Sequence, residues 1–254
     1  MTLRSLLATI FLLGCIGPAM AHRPIEDRLN SLPWARYQDE AVELLQQYLR
    51  IDTSNPPGNE LAAAEFFHRI FDKAGIPNTV YSYAPGRANI YAVVKGNGSL
   101  RPIVLLSHLD VVRAESPNWR VPPFSGEILE GEIYGRGALD MKNEGMTHAM
   151  LLLIAARERL PLKRDLIFLA TADEEVGDTG SAWILEHYPE LVRDAEYLIT
   201  EGGANLVYPG RGTIYGIGVG EKAPFWIRMT ATGPGGHGSM PIADSAAHRL
   251  ARAM

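Results

Sequence analysis

The sequence predicts an α/β protein: a three-layer αβα sandwich with a mostly parallel central sheet, followed by the start of a smaller α+β domain. Three observations carry this prediction. Short apolar runs of the kind covered on both faces alternate with longer helical patterns, 46% of the 254 residues are hydrophobic, and the character of the chain changes near residue 222.

In chain order, residues 1–21 carry one cation, Arg4, then an apolar stretch from Leu6 to Ile16 too short to span a bilayer, then Ala19-Met20-Ala21. They read as an export signal cleaved before His22, which implies a periplasmic or secreted protein. Leu12-Leu13-Gly14-Cys15 loosely resembles a lipoprotein cleavage box, although Leu13 fits poorly, so a lipid anchor at Cys15 is the lesser alternative. Cys15 is the only cysteine, which leaves the mature chain neither a disulfide framework nor a thiol nucleophile.

Residues 37–50 place Ala41, Leu45, Tyr48 and Leu49 at helical spacing, and "DTSNPPGN" breaks the pattern. A second helical pattern covers 59–74 and ends at Gly75, suited to a left-handed cap, with Pro77 beyond it. Strands follow in "TVYSYA", "NIYAVV" and "PIVLLSH". "MTHAMLLLIAARERL" (146–160) reads as an apolar helix, "DLIFLATA" as a buried strand, "SAWILEHY" as a helix and "EYLITE" as a third buried strand. From about residue 222, "APFWIRMTATG" alternates like a half-exposed strand, and "PIADSAAHRLARAM" reads as an unfinished helix.

The formal charge of −5, with no Lys/Arg tract, gives no footprint for nucleic acid, and no membrane span is expected. The chemistry is concentrated at strand ends. "LLSHLD" supplies His108 and Asp110, "FLATADEE" supplies Glu174 and Glu175, "YLITEGG" supplies Glu201, and "GRGALDMK" adds Asp140 just before the apolar helix. In open α/β sheets, loops at the carboxyl ends of strands face one crevice. Each residue alone has a plain structural explanation, such as helix capping for the glutamate pair. Together, one histidine and several acids would repel one another unless divalent metal neutralised them. Mixed imidazole and carboxylate ligation suits Zn²⁺, with Co²⁺ or Mn²⁺ as substitutes; two metals would need a bridging carboxylate.

"SHLDVV", "YGRGALDMK", "ADEEVGDTGS", "TEGG" and "GPGGHGSMP" occur in an order and spacing that resembles the co-catalytic zinc exopeptidases and aminoacylases, a family that includes carboxypeptidase G and the Gly-X carboxypeptidases. "NWRVPPFSGEILEGEIYGRGALD" looks most like the branch of Gly-X carboxypeptidases and N-acyl-amino-acid hydrolases. The resemblance implies His108 and Glu201 on one zinc, Asp140 bridging both, Glu175 on the other, Glu174 as general base and Asp110 orienting His108. It also implies a cis peptide between Asp140 and Met141, and His237 stabilising the oxyanion, often across a homodimer interface. Arg136 and Lys142 are candidate substrate contacts, although Arg136 could instead brace the loop around Asp140. On this reading residues 22–221 form the N-terminal part of a zinc-dependent catalytic domain, and 222–254 begin a lid or dimerisation domain.

The substrate class implied is a small peptide or N-acyl amino acid, cleaved at the amide next to a C-terminal amino acid. The family's final His ligand would lie downstream of Met254, so the sequence reads as an incomplete protein. A non-catalytic metal-dependent binding protein and an inactive truncated product are the alternatives. His68, His148 and His187 are expected to play packing or solvent-facing roles, and Ser107 lacks the setting of a nucleophile elbow.

Overall fold

The computed structural model describes residues 23–254 apart from 204, 211, 221–224, 226 and 241. The expected export signal with Cys15, and the domain boundary expected at 222, lie outside the described residues. Contacts divide the chain into a unit ending at Glu201 and a second from Gly202 to Met254.

The first unit opens with α1 (Arg23–Asn30), α2 (Trp34–Leu49) and α3 (Glu60–Lys73). Of the helical positions read from the sequence, Tyr48 and Leu49 on α2 and Ala64, Phe67 and Phe71 on α3 are buried, whereas Ala41, Leu45 and Ala74 are partly buried against the same core; Trp34, Tyr37, Ala63 and Phe66 complete the buried face. Beyond α3, Gly75 takes the left-handed conformation (φ +67) expected of it. Then come β1 (Asn78–Ala84), β2 (Arg87–Val94), β3 (Ile103–His108), the two-residue strands β4 (Ile128–Leu129) and β5 (Glu132–Ile133), α4 (Lys142–Arg157), β6 (Leu166–Thr171), α5 (Thr179–His187) and β7 (Tyr197–Ile199).

The central sheet has the order β1-β2-β6-β3-β7. β3 pairs in parallel with both β6 and β7, whereas β1–β2 and β2–β6 are antiparallel. Alternate residues of the strands enter different layers, as period-2 geometry requires. Ile103, Leu105 and Phe168 join α2, α3 and α4 in the main core, while Val104, Ile167 and Leu169 pack with Ile184 of α5. α5 comes close to the end of β6 because Gly180 has no side chain; a Cβ there would lie 2.3 Å from the Ala172 carbonyl oxygen.

Phe168 is fully buried, with ring centroids 5.0 Å from Phe67 and 5.1 Å from Phe71. Phe168→Ala is therefore expected to lower the unfolding free energy by about 3–5 kcal/mol, read from denaturant titration. A loss below about 1 kcal/mol would show that the site collapses around the missing ring, contrary to the packing described.

The structure corrects several expectations. α4 begins four residues before Met146, because Lys142, though polar, is turned into the core. β7 is not a buried strand: Tyr197 and Leu198 are 40% and 54% exposed, since β7 is an edge strand among the described residues. In the second unit, no strand forms among the described residues of 225–233, where Phe225, Ile227 and Met229 are exposed and have no ladder partner. That unit instead contains a hairpin, β8 (Asn205–Tyr208) with β9 (Gly212–Tyr215), that the sequence reading missed although Pro209-Gly210 is a turn signal. The final helix, α6 (Ala246–Ala253), is present as expected, with Ser245 accepting a hydrogen bond from the His248 amide.

Candidate metal centre

β3 and β6 run parallel and in register from Ile103↔Leu166 to His108↔Thr171, so both strands release their chains at the same edge of the sheet. β7 lies on the other side of β3 with the same direction and leads to Glu201. This parallel triplet explains why three loops distant in sequence deliver their side chains to one place.

His108 is 2% exposed. Its Nδ1 lies 2.9 Å from the carbonyl oxygen of Asp110, which fits an Nδ1–H donor and turns Nε2 toward the acids. Nε2 faces Asp140 Oδ1 at 3.1 Å, Glu201 Oε1 at 3.5 Å and Glu174 Oε2 at 3.8 Å. Burial opposes a charge on this ring, but Asp110 and Glu201 outweigh it and push the pKa up to about 11. The protein thus holds a proton where a cation would satisfy the same acids.

Asp110 is fully buried and acts through both its backbone and its side chain. Its carbonyl orients the imidazole; its carboxylate, 3.6 Å from Nδ1, accepts the amide N–H groups of Glu174 (3.0 Å) and Glu175 (3.1 Å) and the side-chain amide of Asn55 (2.8 Å). Burial pushes its carboxyl up, yet the His108 and Asn55 contacts prevail and hold it below the usual range.

Asp140 precedes α4, its side chain is 64% exposed, and its peptide bond to Met141 is cis, as the resemblance implied. Burial, reinforced by Glu201 and Glu175, pushes Glu174 up to about 7. Glu175 is also raised, by burial and by Asp140, whereas the His108 contact keeps Glu201 low.

Ligand atoms of His108, Asp140 and Glu201 all lie within 4.8 Å of one another, a donor set suited to a divalent cation. Glu175 is not in that close group, but its Oε1 is buried without a hydrogen-bond partner, as befits an oxygen that would face a cation. His237 belongs to the second unit, where it is exposed and its Nδ1 lies 2.8 Å from the Ser239 hydroxyl. Arg136 stacks over Trp119 at 5.3 Å and its amide donates to the Pro123 carbonyl, which braces the loop leading to Asp140. Lys142 is not a substrate contact. Its fully buried ammonium donates to the carbonyls of Tyr48 (3.2 Å) and Ile51 (2.7 Å), and burial lowers its pKa to about 7. His148 is a packing residue, driven to about 4 by burial.

A cation must displace the His108 proton, so affinity should rise with pH. The expected slope is about tenfold per pH unit below the His108 pKa, measured by chelator competition between pH 6 and 8. A flat profile would contradict the place of His108 at the site.

An αβα sandwich that gathers an imidazole and several carboxylates at the ends of parallel strands defines a metal-binding α/β domain. Residues 104–229 match the model of peptidase family M20/M25/M40, and the chain belongs to that family. A probable succinyl-diaminopimelate desuccinylase from Staphylococcus aureus is 35% identical over 217 residues, covering 84% of this chain and 50% of that protein. Human aminoacylase-1 is 33% identical over 215 residues, covering 83% and 51%. The chain therefore spans about half the length of the curated relatives it matches. Two solved structures share the fold. A metallo-carboxypeptidase of the same family from Sulfolobus solfataricus has a TM-score of 0.54 at 23% identity over 66% of this chain and 38% of its own. Human carnosine dipeptidase 1 has a TM-score of 0.56 at 18% identity, over 72% and 41%.

Proposed function

We propose that the chain carries the metal site of a hydrolase that cleaves the amide next to a C-terminal amino acid in peptides or N-acyl amino acids. The observation that carries this reading is the convergence of Asp140, Glu174 and Glu201 on His108 Nε2. Family relatives named as desuccinylase and aminoacylase support amide hydrolysis of this kind.

His108, Asp140 and Glu201 would hold one Zn²⁺, with Co²⁺ or Mn²⁺ able to substitute, and Asp140 and Glu175 would hold a second. Bound there, the metal supplies Lewis acidity, lowering the pKa of water to about 7 and polarising the substrate carbonyl. Glu174 accepts the proton as water oxygen bonds to the carbonyl carbon, then gives it to the nitrogen as the C–N bond breaks. Its pKa near 7 suits both transfers. Asp110 holds the imidazole and, through the two amides it accepts, the backbone of Glu174 and Glu175.

His237 as oxyanion donor, Arg136 as substrate contact, a homodimer through the second unit, and export directed by residues 1–21 belong to the same reading. The test is an assay of the zinc-supplemented protein, extended to supply the final His ligand that the resemblance implies, on Gly-X dipeptides and N-acyl amino acids. Release of the C-terminal amino acid, abolished by a chelator, is the expected result; cation binding without any release of amino acid would overturn the hydrolase reading.

A further inference from the structure

Of the three consecutive acids 173–175, the proposed chemistry uses only the last two. Asp173 has φ +70, in the left-handed region, and the turn it makes presents the next two amide N–H groups to the Asp110 carboxylate. Its own carboxylate accepts from the Arg87 guanidinium (2.7 Å), the Asn55 side-chain amide (2.7 Å) and the Thr179 hydroxyl (2.5 Å).

The same Asn55 nitrogen donates to Asp110 at 2.8 Å, so its two hydrogens join two buried carboxylates that would otherwise repel each other. Asn55 is fixed in turn: its amide N–H donates to the Val111 carbonyl, and the Thr53 hydroxyl donates to the Leu109 carbonyl. Arg87 is held from behind by the fully buried Glu60 at 2.7 Å and by the Pro57 carbonyl at 3.0 Å. The chain of contacts Glu60–Arg87–Asp173–Asn55–Asp110 thus ends on the group that orients His108.

We infer that Asn55 and Arg87, acting through Asp173, are positioning residues of the metal centre: they fix the turn that carries Glu174 and Glu175 and hold Asp110 against His108. The inference rests on the proposed function. A bare carboxylate pair at Asp110 and Asp173 would drive this turn apart, and the cost would appear as weaker cation binding by a folded protein.

The test measures Zn²⁺ affinity by chelator competition and the visible spectrum of the Co²⁺-loaded chain, with thermal unfolding in chelator recorded separately. Asn55→Ala should weaken binding by about 10- to 100-fold, the range typical of lost outer partners, and shift the Co²⁺ bands. Arg87→Lys keeps the charge without the two-sided fork and should lose less affinity than Asn55→Ala; a folded Asn55→Ala with unchanged affinity and spectrum overturns the inference, whatever its melting temperature. If Asn55→Ala does not fold, Arg87→Lys and Thr179→Val carry the same readout, and parental values in both overturn it. Should the parent chain itself bind neither cation, the proposed function fails and the inference fails with it, a result distinct from loss of effect in the variants alone.

Discussion

Glu174→Gln is expected to lower the rate of amide hydrolysis by about 10²- to 10⁴-fold, the range for a lost general base, and to leave divalent-cation affinity nearly unchanged. Glutamine has the same shape but cannot take the proton. The Glu174 amide would still donate to Asp110, so the turn should persist. Glu174 Oε2 is 3.8 Å from His108 Nε2, near enough to serve the same reacting centre, and burial already poises its carboxyl near neutrality. The check is kcat of the zinc-loaded variant beside its chelator-competition curve. A near-parental kcat would remove Glu174 from the proposed role.

His108→Ala should have the larger effect on binding. His108 supplies the only nitrogen in the close donor group, and its Nε2 faces three of the acids. Its loss should weaken cation binding by more than about 100-fold, the upper figure for losing an outer partner rather than a ligand. The fold should survive, because β3 is hydrogen-bonded on both sides by β6 and β7. Calorimetric titration of a variant with a parental circular dichroism spectrum decides the matter. Parental affinity in that folded variant would place the cation elsewhere.

The ends of the strands were legible in the sequence because the apolar runs stop where polar residues begin: His108 closes β3, and Glu174 follows β6 within three residues. Parallel strands share one exit edge, so the grouping of His108, Glu174 and Glu201 follows from pattern and topology together, while Asp140 joins them from the loop before α4. Contacts across space were not legible. Asn55 meets Asp173 across 118 positions and Arg87 meets it across 86, and neither residue has a local pattern that announces a partner. Lys142 was misread for a related reason: a long cation beside Asp140 suggests a substrate contact, whereas the end of α2 presents it with two carbonyls and the face of Tyr48. The exposure of β7 depends on its place at the sheet edge, which composition does not encode.

The central claim is that these acids converge in order to hold a divalent cation, and elemental analysis with chelator titration tests it most directly. The protein purified without chelator, or incubated with Zn²⁺ and freed of excess, should retain cation, lose it to a chelator and melt at a lower temperature afterwards. His108→Ala should show neither retention nor the shift. A parent chain that takes up no divalent cation, and melts at the same temperature with or without chelator, would contradict the account.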